Sequence, residues 1–150
     1  MGHSHTRYLY HFVWSTKHRE PWITNDVEAQ VYAYVTALLI KSNAHVFAIN
    51  GMPDHVHAIV ELRAEPSVGR VVKDAKAYSS GWFKRRFGRS AFAWQTGYGG
   101  FTISTSQLDK AIGYVQRQKV HHRKTGFDFA EEMKMLCKLH GVEFDSKMLE

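Results

Sequence analysis

Residues 45–62 read HVFAINGMPDHVHAIVEL, and the architecture can be worked out from this stretch. His45 to Ile49 is β-branched and aromatic and reads as a strand. Asn50-Gly51 carries a turn signal, and Pro53-Asp54 extends it. His55 to Leu62 is a second strand, so the two predict a β-hairpin. Upstream, Tyr8 to Trp14 is a further strand. Asn25 or Asp26 caps a helix that runs to about Ser42, with Val27, Val31, Tyr34, Val35, Leu38 and Leu39 at helical spacing. Downstream, Ser67 opens a long helix to about Phe87, closed by Gly88. The stretch from Ala91 to Ser104 holds a fourth strand around Gly100 to Ile103. Ser106 caps a third helix to about Lys124, closed by Gly126, and a fourth runs from about Phe129 to His140, closed by Gly141. The order is β-α-β-β-α-β followed by helices. It predicts an α+β, ferredoxin-like (split β-α-β) four-stranded antiparallel sheet with two helices on one face plus C-terminal helices. The hairpin's second strand is central in that sheet.

Composition bounds the function. The chain has 150 residues, 44% of them hydrophobic, which suits one domain with one core. No apolar run approaches the roughly 20 residues of a membrane span. The start, MGHSHTR, has no apolar segment of the secretory type. The single Cys137 excludes an internal disulfide and a Cys₄ or Cys₂His₂ zinc site, and a cytoplasmic protein is expected. Lys and Arg total 20 against 14 Asp and Glu, a net charge of +6. That balance suits a polyanionic partner such as nucleic acid. There are ten histidines, and His is the commonest metal ligand.

Spacing is more informative than these totals. Residues two apart on a strand point to the same face, so His55 and His57 project side by side from mid-sheet, placed to share one divalent metal. On the third helix, Leu108, Ala111, Ile112 and Val115 form an apolar stripe. Tyr114 and Gln118 lie about 40° apart on one flank of it, one turn from each other. A phenol and an amide therefore face the same way. Read singly, each pair has an ordinary packing explanation. His3 and His5 imitate a metal pair but lie at a chain terminus, where mobility is usual. Asp54 is explained equally by turn chemistry or by support of the His pair.

The combination resembles the one-tyrosine HUH transposases, which move insertion sequences as single-stranded DNA; the REP-associated tyrosine transposases are their close relatives. Their signature, His-hydrophobic-His on a central strand and Tyr-x-x-x-Gln on a later helix, matches His55-Val56-His57 and Tyr114-Val-Gln-Arg-Gln118. The stretches HFVWSTK at 11–17 and GMPDHVH at 51–57, the pair His121-His122, and the ending from Glu131-Glu132 through LHGVEFD at 139–145 are also family-like. The resemblance implies one HUH domain over residues 1–150. Tyr114 is then the nucleophile, and His55, His57 and Gln118 bind Mg²⁺ or Mn²⁺. The reaction cleaves and rejoins single-stranded DNA with hairpin ends through a 5′-phosphotyrosine. It further implies a homodimer joined by edge-to-edge sheet pairing, with the tyrosine helix serving its own or the partner's His pair.

DNA contacts are expected from two basic sets. Lys73, Lys76, Lys84, Arg85, Arg86 and Arg89 are interleaved with Tyr78, Trp82 and Phe87, so that phosphates take the charges and bases stack on the rings. His121, Arg123 and Lys124 follow Gln118 by one turn, and His121 falls on the Tyr114/Gln118 flank. Gly97 to Gly100 and the connection from Thr102 to Thr105 allow movement of the tyrosine helix, or form a turn within the fourth strand. Two rivals stand beside the transposase. One is a domesticated relative acting on dispersed palindromic repeats. The other is a non-catalytic RNA- or DNA-binding module of the same strand order, although such modules place aromatics on the central strands where this chain has histidines.

Overall fold

The computed structural model describes residues 4–150; His3 lies outside them. Four strands, β1 (Tyr8–Ser15), β2 (His45–Met52), β3 (His55–Leu62) and β4 (Gly99–Thr102), form one sheet in the order β2-β3-β1-β4. Every neighbouring pair is antiparallel. With the helices between them this is the ferredoxin-like α+β arrangement, and β3 is central.

The hairpin turns later than Asn50-Gly51. Both residues lie within β2, Gly51 opposite Val56, and the chain reverses at Pro53-Asp54. Gly51 serves close approach instead of a turn. A Cβ there would lie 2.1 Å from the His55 carbonyl oxygen and 2.9 Å from the Val56 Cα. A register shift between Val46 and Ala48 adds a bulge to the same strand.

Alternation along the strands separates two faces. Phe12, Trp14, Val56, Ala58, Val60 and Leu62 form the larger core with α1 (Glu28–Lys41) and α2 (Val68–Phe87). The opposite face carries Leu9, His11, Val13, His55, His57 and Ile59. Over it lie α3 (Leu108–Gln116), α4 (Gln118–Thr125) and α5 (Phe129–Leu139). The sheet is therefore covered on both sides, which explains why His55 to Val60 is buried without a break.

The ends of α2 follow local chemistry. The Ser67 side chain accepts from the Arg70 N–H, and Gly88 closes the helix in the left-handed conformation at φ 62°. At α1 the expected cap is not used. The helix starts at Glu28 with Val27 at its N-cap, while Asp26 accepts a hydrogen bond from the Thr24 hydroxyl. Ser106 does not cap α3 either. It sits in a 3₁₀ turn (Thr105–Gln107), with its hydroxyl bonded to that of Ser104. The single helix expected to Lys124 is two helices, separated at Arg117 with φ −100° and ψ 22°. Periodicity carries little record of a one-residue departure from helical angles. Gly99 and Gly100 belong to β4, where a Cβ on Gly99 would lie 2.7 Å from Val13 Cγ1, so close strand packing accounts for that glycine. Among the described residues no helix is long and apolar enough to cross a membrane.

Candidate active site

The His pair is held from behind. His55 is 1% and His57 0% exposed. His55 Nδ1 bonds Asp54 Oδ1 at 2.6 Å, and His57 Nδ1 pairs with His11 Nε2 on β1 at 2.7 Å. With each Nδ1 engaged, both Nε2 atoms face the space beneath the C-terminal helices. Partners of this kind fix ring orientation in metal-binding histidines.

What meets them there comes from three helices. Glu132 on α5 is fully buried, and its Oε1 lies 3.0 Å from the Nε2 atoms of His55, His57 and His122. Gln118, also fully buried, places Oε1 3.4 Å from His55 Nε2 and 3.1 Å from His122 Nε2. Its Nε2 donates to Glu132 Oε2 at 2.9 Å. The Tyr114 hydroxyl donates to the same Oε2. The Tyr114 ring lies 6.0 Å from the His57 ring and 5.0 Å from that of His121, centroid to centroid. Tyr114, Gln118 and the His pair of one chain thus come together. The bend at Arg117 lies between the two helical residues of that set.

Local chemistry sets up each contributor. A capping box of Asp128 and Glu131 starts α5 one turn before Glu132. The His122 ring is oriented by the Phe127 carbonyl, 2.8 Å from its Nδ1. His122, Glu132 and His11 were not expected at the site. His122 had a faint signal, four residues after Gln118 on the same helix face. Glu132 and His11 fall in family-like stretches, but by their own spacing they read as part of an amphipathic helix and as a polar residue in an aromatic strand, and neither had a role assigned.

Charge in this space is unusual. Burial would raise the Glu132 carboxyl, but the imidazoles of His57, His122 and His55 outweigh it and hold it well below the usual carboxylate range. Burial opposes the charged form of His55, yet its bonds to Asp54 and Glu132 win and raise it to about 9. His57 is pushed down by burial, which Glu132 only partly offsets. His11 is pushed well down, by burial first and then by His57. Burial and the Glu132 charge push the Tyr114 phenol up.

The two basic sets occupy different faces. Lys73, Lys84, Arg85, Arg86 and Arg89 are exposed on α2 and its exit, across the sheet from the His pair. Lys76 is tied down instead, donating to the Thr96 and Gly97 carbonyls at 3.1 and 2.6 Å, and burial lowers it to about 8. Trp82 and Phe87 pack against the core, with Trp82 stacked on Tyr34 at 4.4 Å; Tyr78 is 61% exposed. Of the interleaved aromatics only Tyr78 is free to stack. Arg123 and Lys124 are exposed on α4, on the His side of the sheet. A cavity of about 460 Å³ opens there onto His55 and His122, lined also by Arg19, Lys119, Arg123 and Phe127. Cys137 is buried in the α5 core with Phe129, Met133 and Leu136.

Comparison with known proteins gives the class. The family model described as IS200-like transposase matches residues 4–118, and the chain belongs to that family. Among solved structures it is similar to a candidate transposase from Deinococcus radiodurans R1, at 20% identity over 79% of this chain and 96% of that one, with a TM-score of 0.64. It is also similar to a REP-associated tyrosine transposase bound to a REP hairpin, at 16% identity over 81% of this chain and 74% of that one, with a TM-score of 0.60. These two likenesses concern the fold. No curated protein matches significantly. The family match includes His55, His57, Tyr114 and Gln118 and ends before His122 and Glu132.

Proposed function

We propose that this transposase cleaves and rejoins single-stranded DNA at insertion-sequence ends through a 5′-phosphotyrosine on Tyr114, with residues 1–150 working as one cytoplasmic HUH domain. One observation carries the reading: the Tyr114 hydroxyl and the Nε2 atoms of His55 and His57 converge on one buried carboxylate within a single chain.

The donor set fits a divalent metal. His55, His57 and Gln118 present two imidazole nitrogens and an amide oxygen with the rings already oriented. This nitrogen-rich set suits Mn²⁺ at least as well as Mg²⁺, which favours oxygen ligands. A bound divalent ion supplies polarisation of the scissile phosphate and stabilises the leaving 3′-oxygen. Tyr114 supplies the nucleophile. As found, its hydroxyl is held protonated by Glu132 Oε2. In the proposed step the phenolic oxygen bonds phosphorus, the phenol proton is lost to solvent, and the bond from phosphorus to the 3′-oxygen breaks. The 3′-oxygen leaves as a hydroxyl, taking a proton from solvent. Rejoining is the reverse displacement by a 3′-hydroxyl and needs no nucleotide cofactor.

For substrate binding, Arg123 and Lys124 with His121 flank the site, while Lys73, Lys84, Arg85, Arg86 and Arg89 offer a second cationic surface for a hairpin. Lys76 contributes less, since its ammonium is already bonded to backbone carbonyls. A homodimer by edge-to-edge pairing would use β2 or β4, the edge strands. Within one chain Tyr114 already lies beside the His pair, which supports a reading in which the tyrosine helix serves its own chain. Likeness to the REP-associated enzyme favours a second reading, action on dispersed palindromic repeats. The binding-module reading is disfavoured because α3, α4 and α5 cover the sheet face that such a module would use.

The test is incubation with single-stranded candidate ends and Mn²⁺, scored for a covalent adduct on a denaturing gel. Tyr114→Phe is expected to abolish the adduct while hairpin affinity stays within twofold of wild type. An adduct of normal yield from that variant would remove Tyr114 from the role.

A further inference from the structure

His122 and Glu132 stand at the centre of the site, yet the His-hydrophobic-His and Tyr-x-x-x-Gln patterns name neither. His122 is 8% and Glu132 0% exposed. A fully buried carboxylate is costly unless it is paired or coordinates a metal. Every ion pair of Glu132 among the described residues is with a histidine, namely His55, His57, His121 and His122. None is a permanent cation, so the carboxylate is surrounded by imidazoles, a side chain that commonly ligates metals.

The spacing is also that of a coordination sphere. Ligand atoms of His55, His122 and Glu132 all lie within 4.8 Å of one another. The Nε2 atoms of His55 and His122 are each 3.0 Å from Glu132 Oε1 and 3.4 and 3.1 Å from Gln118 Oε1. Ligands held at about 2.1 Å from one ion, at tetrahedral or octahedral angles, lie roughly 3.0–3.4 Å apart. The second oxygen of Glu132 meanwhile holds the Tyr114 hydroxyl and Gln118 Nε2. One residue of α5 therefore touches both the candidate ligands and the nucleophile.

We infer that Glu132 and His122 are ligands of the divalent metal alongside the strand histidines, so that metal binding and docking of α5 over the sheet are a single coupled event. The inference rests on the metal-dependent reading above. It makes α5 a clamp that positions Tyr114 through the carboxylate that ligates the ion. A nitrogen-rich set carrying one carboxylate and one amide oxygen selects Mn²⁺ over Mg²⁺.

The experiment is calorimetric titration of the chelator-treated full-length chain with Mn²⁺, with hydrogen exchange followed over α5. The wild type is expected to bind one Mn²⁺ and to slow exchange across residues 129–139. Glu132→Gln and His122→Gln should each weaken Mn²⁺ binding tenfold or more, Glu132→Asp should fall between, and Tyr114→Phe should bind as wild type. Wild-type affinity in both Glu132→Gln and His122→Gln overturns the inference, as does Mn²⁺ binding that leaves α5 exchange unchanged. If Glu132→Gln does not fold by circular dichroism, His122→Gln and the wild-type exchange data decide. A chain that binds Mn²⁺ through Glu132 but forms no adduct keeps the ligand set and overturns the cleavage reading. A wild type that binds no Mn²⁺ overturns both.

Discussion

His57 shows how packing and hydrogen bonds fix a single side chain. Its Nδ1 faces His11 Nε2 at 2.7 Å and its Nε2 faces Glu132 at 3.0 Å, inside a site with no exposure of the ring. The ring is free neither to flip nor to turn away. His11→Phe keeps a ring of similar shape but leaves His57 Nδ1 without a partner. Removing such a support typically lowers metal affinity by about 10–100-fold. That loss is expected for His11→Phe in a Mn²⁺ titration, with an unchanged far-ultraviolet spectrum. An unaltered affinity would mean that strand packing alone orients His57. The His55/His57 pair was legible from a spacing of two on a strand, since that fixes a shared face. Glu132 was not, because a glutamate on an amphipathic helix ordinarily faces water.

The elements show where local signals hold and where packing overrides them. Ser67 and Gly88 bound α2 where capping chemistry places them. Asn50-Gly51 also carries turn chemistry, yet the strand runs through it to Met52. The competing demand is space, since the β3 backbone passes too close to Gly51 to admit a Cβ. Gly51→Ala is therefore expected to cost on the order of 3 kcal/mol in denaturant unfolding. Gly69→Ala is the control, in the first turn of α2 with nothing within 4 Å of the added carbon. It should be neutral or stabilising by about 0.5–1 kcal/mol. If the two variants unfold alike, close strand approach does not explain Gly51. The break at Arg117 belongs to the same class of finding. The spacing of Tyr114 and Gln118 was visible in a helical pattern, whereas that pattern does not record the departure from helical angles at Arg117.

At the scale of the whole molecule the sheet separates two cationic surfaces. Arg85 and Arg86 are exposed on the α2 side, whereas Arg123 and Lys124 are exposed on the side of the His pair. The two surfaces should act separately. Arg85→Glu with Arg86→Glu should weaken hairpin binding and reduce the slope of log affinity against log salt by about two. Adduct formation on a short oligonucleotide without a hairpin should be unchanged. Arg123→Glu with Lys124→Glu should depress both. Equal effects of the two pairs on the short oligonucleotide would argue against this separation. The net charge of +6 pointed to a polyanion, but only the fold shows that the charge is divided between two faces. By itself the sequence determined the strand and helix order, the pairing of His55 with His57, and Tyr114 with Gln118 as a second pair. These follow from short-range periodicity, which a chain carries in its own spacing. Only the tertiary structure decided that Tyr114 meets the His pair of its own chain, and that His11, His122 and Glu132 join them. Those contacts link β1, β3, α3, α4 and α5 across long stretches of sequence, and no local pattern records which buried polar groups will be brought together when two faces of one sheet are covered.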